Sequence, residues 1–151
     1  TIRDVARRIE AQLGARRAVA LRNGAMLLEA PTGSGKTLML ARALESVVGA
    51  LPRPTAWFWF SPYNGLVAQT RDALALQAPR LRLRDLAADR IAGTARDGDV
   101  WVQTWASVAV NNPTARRARQ GGEALPSLDA MISALRANGF LIGAVIDEAH
   151  L

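Results

Sequence analysis

The sequence predicts an α/β domain: a mostly parallel sheet with helices on both faces. Apolar runs of strand length at residues 26–30, 56–60 and 140–146 alternate with segments whose apolar residues recur at helical spacing. The runs are continuous instead of alternating apolar with polar, as expected of strands covered on both faces. Strands and helices taking turns in this way build parallel sheets.

In chain order, Ile2, Val5, Ile9 and Leu13 share one helical face, with Thr1 as N-cap and Asp4 in the first turn. Arg3, Arg7 and Arg8 take the opposite, solvated face. Asn23-Gly24 marks a turn, and residues 26–30 (MLLEA) form a short buried strand. A Gly-rich loop follows. A helix starts near Lys36, with Leu40, Leu44, Val47 and Val48 on one side, and Gly49 and Pro52 end it. Residues 56–60 (AWFWF) are the next strand, broken by Ser61-Pro62-Tyr63-Asn64-Gly65, and residues 66–76 are helical. Leu81, Leu83 and Leu86 alternate with Arg82 and Arg84, a weaker strand signal. Residues 100–110 are apolar, strand first, and 111–122 form a polar loop carrying Arg116, Arg117 and Arg119. Leu128, Met131, Ile132 and Leu135 mark a helix over 125–137, and residues 140–146 (FLIGAVI) are another buried strand. The chain opens on Thr1 instead of Met and stops at Leu151 just behind that strand, so both ends read as cuts.

At 151 residues the chain suffices for one domain, or a piece of one, with a real core. Half of it is apolar (50%) and 21% is charged, a globular composition that argues against a disordered tail. The absence of cysteine excludes a disulfide scaffold and a Cys-ligated zinc, and a single histidine excludes a His cluster. The apolar runs are far too short to span a bilayer, and no signal peptide pattern opens the chain. The expectation is a soluble, cytoplasmic domain with no membrane partner. Its net charge of +6 suits a polyanionic partner, and arginine is the better phosphate fork. An arginine-rich codon bias yields the same count, so the charge alone leaves both readings open. The 19 basic residues include one lysine, Lys36, and its position is the stronger signal.

Lys36 sits in Ala30-Pro31-Thr32-Gly33-Ser34-Gly35-Lys36-Thr37, a phosphate-loop pattern with Ala at the first Gly position. Gly33 and Gly35 let the backbone wrap close to phosphates so that successive N–H groups, from Thr32 through Thr37, point inward. The helix behind them adds the positive end of its dipole. Lys36 reaches the β- and γ-phosphates in such a loop, and the Thr37 hydroxyl ligates Mg²⁺. This chain's composition makes a chance match improbable, on the order of 0.002 expected occurrences, and the match lies between a predicted strand and a predicted helix. The second signal is Val145-Ile146-Asp147-Glu148-Ala149-His150 at the end of an apolar strand. Open α/β sheets bind ligands beyond the carboxyl ends of their strands, which is where these carboxylates are delivered. The expectation there is that Asp147 would hold Mg²⁺ through water, Glu148 would polarise the attacking water, and His150 would relay the nucleotide state. An Asp-Glu pair alone is also an ordinary acidic surface; it gains meaning from the phosphate loop far upstream.

The segments APTGSGKT and VIDEAH resemble the Walker A and Walker B motifs of superfamily-two helicases of the DEAD/DEAH type. The chain is similar to their first RecA-like domain, in the style of type III restriction enzyme helicase subunits and phage-type DNA helicases. That resemblance implies a RecA-like P-loop NTPase domain over residues 1–151, partial because it is truncated after the Walker B strand. It implies ATP and Mg²⁺ as cofactors, DNA as partner with RNA as the alternative, and a second RecA-like domain supplying an arginine finger. Ser61 and Gln69, after the second strand, and Thr104, in Val102-Gln103-Thr104-Trp105-Ala106-Ser107, fall where such motors touch the nucleic-acid backbone. Each also reads plainly: Ser61 as a helix cap, Gln69 as a solvent-facing residue, Thr104 as a strand end. Trp57 and Trp59 read as core, and Trp105 is the tryptophan placed to meet a ligand. A Ser-Ala-Thr-like coupling segment and an upstream adenine-reading glutamine are absent. The function implied is an ATP-dependent helicase or translocase motor domain. A non-catalytic nucleotide- or nucleic-acid-binding fragment and another class of P-loop NTPase are the competing readings.

Overall fold

A computed structural model of the chain describes residues 7, 33–108 and 126–148. The predicted strand at 26–30, the turn at Asn23-Gly24, the polar loop at 111–122 and the first helix, Arg7 apart, lie outside the described residues. Arg7 is helical and exposed, as its predicted face requires.

Helix α1 (Lys36–Val47) begins where Gly35, as N-cap, takes a left-handed φ of 79° that favours glycine. Strand β1 (Thr55–Ser61) follows, buried along its whole length. Helix α2 (Asn64–Gln77) starts two residues before the predicted point, because the N–H groups of Leu66 and Val67 both close onto the Tyr63 carbonyl (3.1 and 3.2 Å). Strand β2 is shorter than predicted, Arg82–Arg84, and β3 (Asp99–Thr104) turns at its end into a single 3₁₀ turn over Trp105–Ser107. Helix α3 (Leu128–Ala137) is capped by Ser127, whose hydroxyl accepts from the Ala130 N–H (3.1 Å). Asp129 in its first turn and Arg136 in its last complement the helix dipole. Strand β4 (Leu141–Ile146) completes the order.

The four strands form one sheet, β2-β3-β1-β4, and every pairing is parallel. Because side chains alternate along a strand, β1 feeds two cores. Trp57 and Trp59 pack with Ala41, Leu44 and Val47 of α1 and Leu74 of α2. Ala56, Phe58 and Phe60 pack on the other face with Leu128, Met131 and Leu135 of α3. The predicted α/β class, parallel sheet and two helical layers are therefore present. The expectation of a fully buried last strand is not met: Ala144 is exposed and Ile146 is 46% exposed. Among the described residues β4 has one strand neighbour, β1.

The amino edge of the sheet is tied together by charged groups. Asp97 accepts from the Gly49 N–H (2.8 Å), the Thr55 N–H (2.7 Å) and the Thr55 hydroxyl (2.9 Å), joining the exit of α1 to the start of β1. Arg53 donates to the Gly139 carbonyl (2.7 Å), fastening the same loop to the turn before β4. Fully buried Asp99 receives two bonds from Arg82 (2.6 and 2.7 Å) and one from Arg84 (2.8 Å), and Arg84 also pairs with Asp89. The Asp99 carboxylate raises the Arg82 guanidinium above its ordinary pKa, chiefly through that hydrogen bonding, so the pair stays charged. Arg84 lies over the Trp101 ring (5.4 Å to its centroid), and Trp101 stacks on Phe58 (5.3 Å).

Candidate functional site

The opposite, carboxyl edge carries the carboxylates that the sequence marks as candidate site residues. Gly33 and Gly35 both have left-handed φ values, 76° and 79°, which side-chain-bearing residues adopt only at a cost. A β-carbon on either would meet nothing within 4 Å, so backbone conformation and not crowding accounts for glycine there. The loop they form is exposed, and α1 starts directly behind it with Lys36 and Thr37 half-buried in its first turn.

Asp147 and Glu148 follow β4. The Asp147 N–H donates to the Phe60 carbonyl (2.9 Å), carrying the β1–β4 ladder one step beyond the strand. Burial pushes the Asp147 carboxyl above the usual carboxylate range, and the neighbouring Glu148 charge adds to the rise. The Glu148 N–H, bonded to Asp147 Oδ1 at 3.0 Å, opposes it, as do the Trp59 indole and the Lys36 ammonium. Lys36 and Asp147, remote in sequence, are thus near enough for one charge to act on the other. Glu148 has φ 51°, the one left-handed non-glycine among the described residues, and such backbone strain clusters at functional sites.

Of the residues expected at the nucleic acid, Ser61 and Thr104 stand side by side, paired in register at the ends of β1 and β3. Ser61 is only 1% exposed, and its hydroxyl caps nothing. Thr104 is half-buried, and its carbonyl accepts from the Ser107 hydroxyl (2.6 Å). Gln69 is exposed in the second turn of α2. Trp57 and Trp59 are core, as expected, while Trp105 is 54% exposed and sits edge-on to Phe60 at 5.3 Å. Thr32, His150 and the Arg116, Arg117, Arg119 cluster lie outside the described residues.

The donor set fits a magnesium–phosphate group. Mg²⁺ takes one or two protein oxygens and leaves the rest to phosphates and water, so Thr37 and Asp147 suffice without a larger cluster of carboxylates. The exposed Gly33–Gly35 turn and the half-buried Asp147 carboxyl are compatible with such a group. Sequence reading missed Trp59, whose indole approaches Asp147, and Gly143, against which Trp57 packs. The signal for the first is parity: Trp57, Trp59 and Ser61 are alternate residues of one strand and so share a face. No helix among the described residues is long and apolar enough to cross a membrane. No protein-family model, curated protein or solved structure matches this chain.

Proposed function

We propose that this chain is the RecA-like nucleotide-binding domain of an ATP-driven motor of the superfamily-two helicase kind, acting in the cytoplasm on nucleic acid, with DNA as the preferred partner. One observation carries the reading: the only lysine, at the head of α1 behind two left-handed glycines, lies within charge range of Asp147 at the end of β4.

The backbone N–H groups from Thr32 to Thr37 bind the phosphates, and Lys36 neutralises the β- and γ-phosphate charge. The Thr37 hydroxyl and the Asp147 carboxylate would hold Mg²⁺, which would supply charge neutralisation at the phosphates. Glu148 orients and deprotonates the attacking water. His150 passes the nucleotide state on, and Ser61, Gln69 and Thr104 stand on the nucleic-acid side. A second RecA-like domain supplies an arginine worth about 10³–10⁵ in rate, so the chain by itself hydrolyses ATP slowly.

The test is ATP turnover by the chain together with its second domain, with and without single- and double-stranded DNA. Turnover is expected to rise with DNA and to fall about a hundredfold or more in both Lys36→Ala and Glu148→Gln. Glu148→Gln keeps its nucleotide affinity, whereas Lys36→Ala loses it. DNA-independent turnover, or none in the folded pair, would discard the motor reading in favour of another P-loop NTPase or a binding module.

A further inference from the structure

Three buried polar atoms among the described residues lack a hydrogen-bond partner: the indole nitrogens of Trp57 and Trp59 and the hydroxyl of Ser61. They belong to alternate residues of β1 and so form a row on the face covered by α1 and α2, running to the carboxyl edge. Unmatched buried donors are costly and uncommon, and a row of three in a central strand calls for a physical cause. Phenylalanine and alanine would fill the same core without that cost.

The upper two members face an acceptor. Trp59 pairs in register with Val145, and the ladder continues through the Asp147 N–H to the Phe60 carbonyl, so Asp147 is the next residue of β4 on that face. The Trp59 indole already favours the Asp147 anion, although no bond between them is completed. Trp57, one pair deeper, lies across from Gly143, where no side-chain acceptor exists.

We propose that Trp59, with Ser61 beside it, is a positioning residue for Asp147: its indole N–H takes one carboxylate oxygen, leaving the other turned to the loop that carries Lys36. The role rests on the nucleotide reading above. An indole N–H only donates, so it binds the carboxylate without competing for a cation. Its ring is fully buried in the core under α1, which fixes the direction of the donated bond. The Ser61 hydroxyl supplies a second donor at the end of the same row.

The test records the indole N–H resonances of the chain by ¹H–¹⁵N NMR without nucleotide, assigning Trp59 by the peak missing in Trp59→Phe. Asp147→Asn is expected to displace the Trp59 peak and leave that of Trp101, whose N–H is donated to the Asp89 carbonyl at 2.8 Å. Affinity for ATP in the presence of Mg²⁺ is expected to fall about tenfold in Trp59→Phe, the loss typical of a group supporting a metal ligand. Affinity in EDTA stays unchanged. A Trp59 peak indifferent to Asp147→Asn, or Mg²⁺-dependent affinity unchanged in Trp59→Phe, overturns the proposal. Where Trp59→Phe does not fold, the same affinity is measured in Ser61→Ala: a Mg²⁺-dependent fall supports the proposal and an unchanged value overturns it. A wild-type chain that binds no ATP sinks the nucleotide reading instead, and the nucleotide-free indole shift separates the two failures.

Discussion

Asp147 is under two demands that pull against each other: it follows a strand at the fold's edge, half-buried, yet the proposed role in holding a cation needs a charge. Burial holds its carboxyl above the usual range. A folded-state pKa above the unfolded one makes the folded chain the tighter proton binder. Its stabilising contribution is therefore present below the ordinary carboxylate pKa and is lost as pH rises through the folded value. Asp147→Asn, without nucleotide or metal, is expected to melt at or above the wild-type temperature at neutral pH. That difference shrinks as pH falls through the folded-state value and the wild-type carboxyl takes up its proton. Thermal melts across this range check it, and a lower Tm for Asp147→Asn at neutral pH would show that the charge supports the fold. Glu148 is strained in a different way, through its backbone at φ 51°. Glutamine retains that conformation and its cost, so Glu148→Gln reports on the carboxylate alone.

At the level of elements, the contact between β1 and β4 is shaped by one missing side chain. Trp57 and Gly143 face each other in the ladder, and a β-carbon on Gly143 would stand 2.1 Å from Trp57 Cζ3 and 2.3 Å from Cε3. The ring is wedged beneath α1 and cannot retreat without disturbing Leu44 and Val47. Gly143→Ala is expected to cost about 1–3 kcal/mol or more, as overpacking does, with recovery when Trp57 is reduced to leucine. Urea unfolding of the two single variants and the double variant measures this coupling; additive losses would mean the ring moves freely. Helices α1 and α3 owe their starts to local chemistry: Gly35 in a left-handed cap for one, the Ser127 hydroxyl for the other.

Across the whole molecule, the two edges of the sheet are built on opposite principles. At the amino edge Asp97 and Asp99 are each matched by several short hydrogen bonds, Arg53 donates to the Gly139 carbonyl, and Asp99 holds two arginines. At the carboxyl edge stand an exposed glycine loop, a raised carboxyl, a strained glutamate and unpartnered Trp59 and Ser61. The densest side-chain hydrogen bonding thus lies at the first edge, and the residues of the proposed nucleotide site lie at the second. Asp99→Ala strands Arg84 and should cost about 3–5 kcal/mol, the loss seen when one partner of a buried pair is removed. Lys36→Ala, at the other edge, should leave Tm close to wild type. Chemical denaturation of both variants tests this division, which fails if Lys36→Ala destabilises as much as Asp99→Ala.

Much of this was legible in the linear chain because it depends on neighbours in sequence. The alternation of strands and helices, the helix beginning at Lys36, the special conformations of Gly33 and Gly35 and the carboxylates closing β4 all follow from local propensity, spacing and steric rules. What only the tertiary structure decided depends on pairing between distant strands. The order β2-β3-β1-β4 sets Ser61 beside Thr104 and brings Asp147 under the influence of Lys36. Register opposes Gly143 to Trp57 and carries Asp147 to the face of Trp59, and Ile146 at the end of β4 is left exposed. Hydrophobic periodicity tells a strand which faces to bury, but not which strand will lie beside it; that choice is made by packing over the whole sheet.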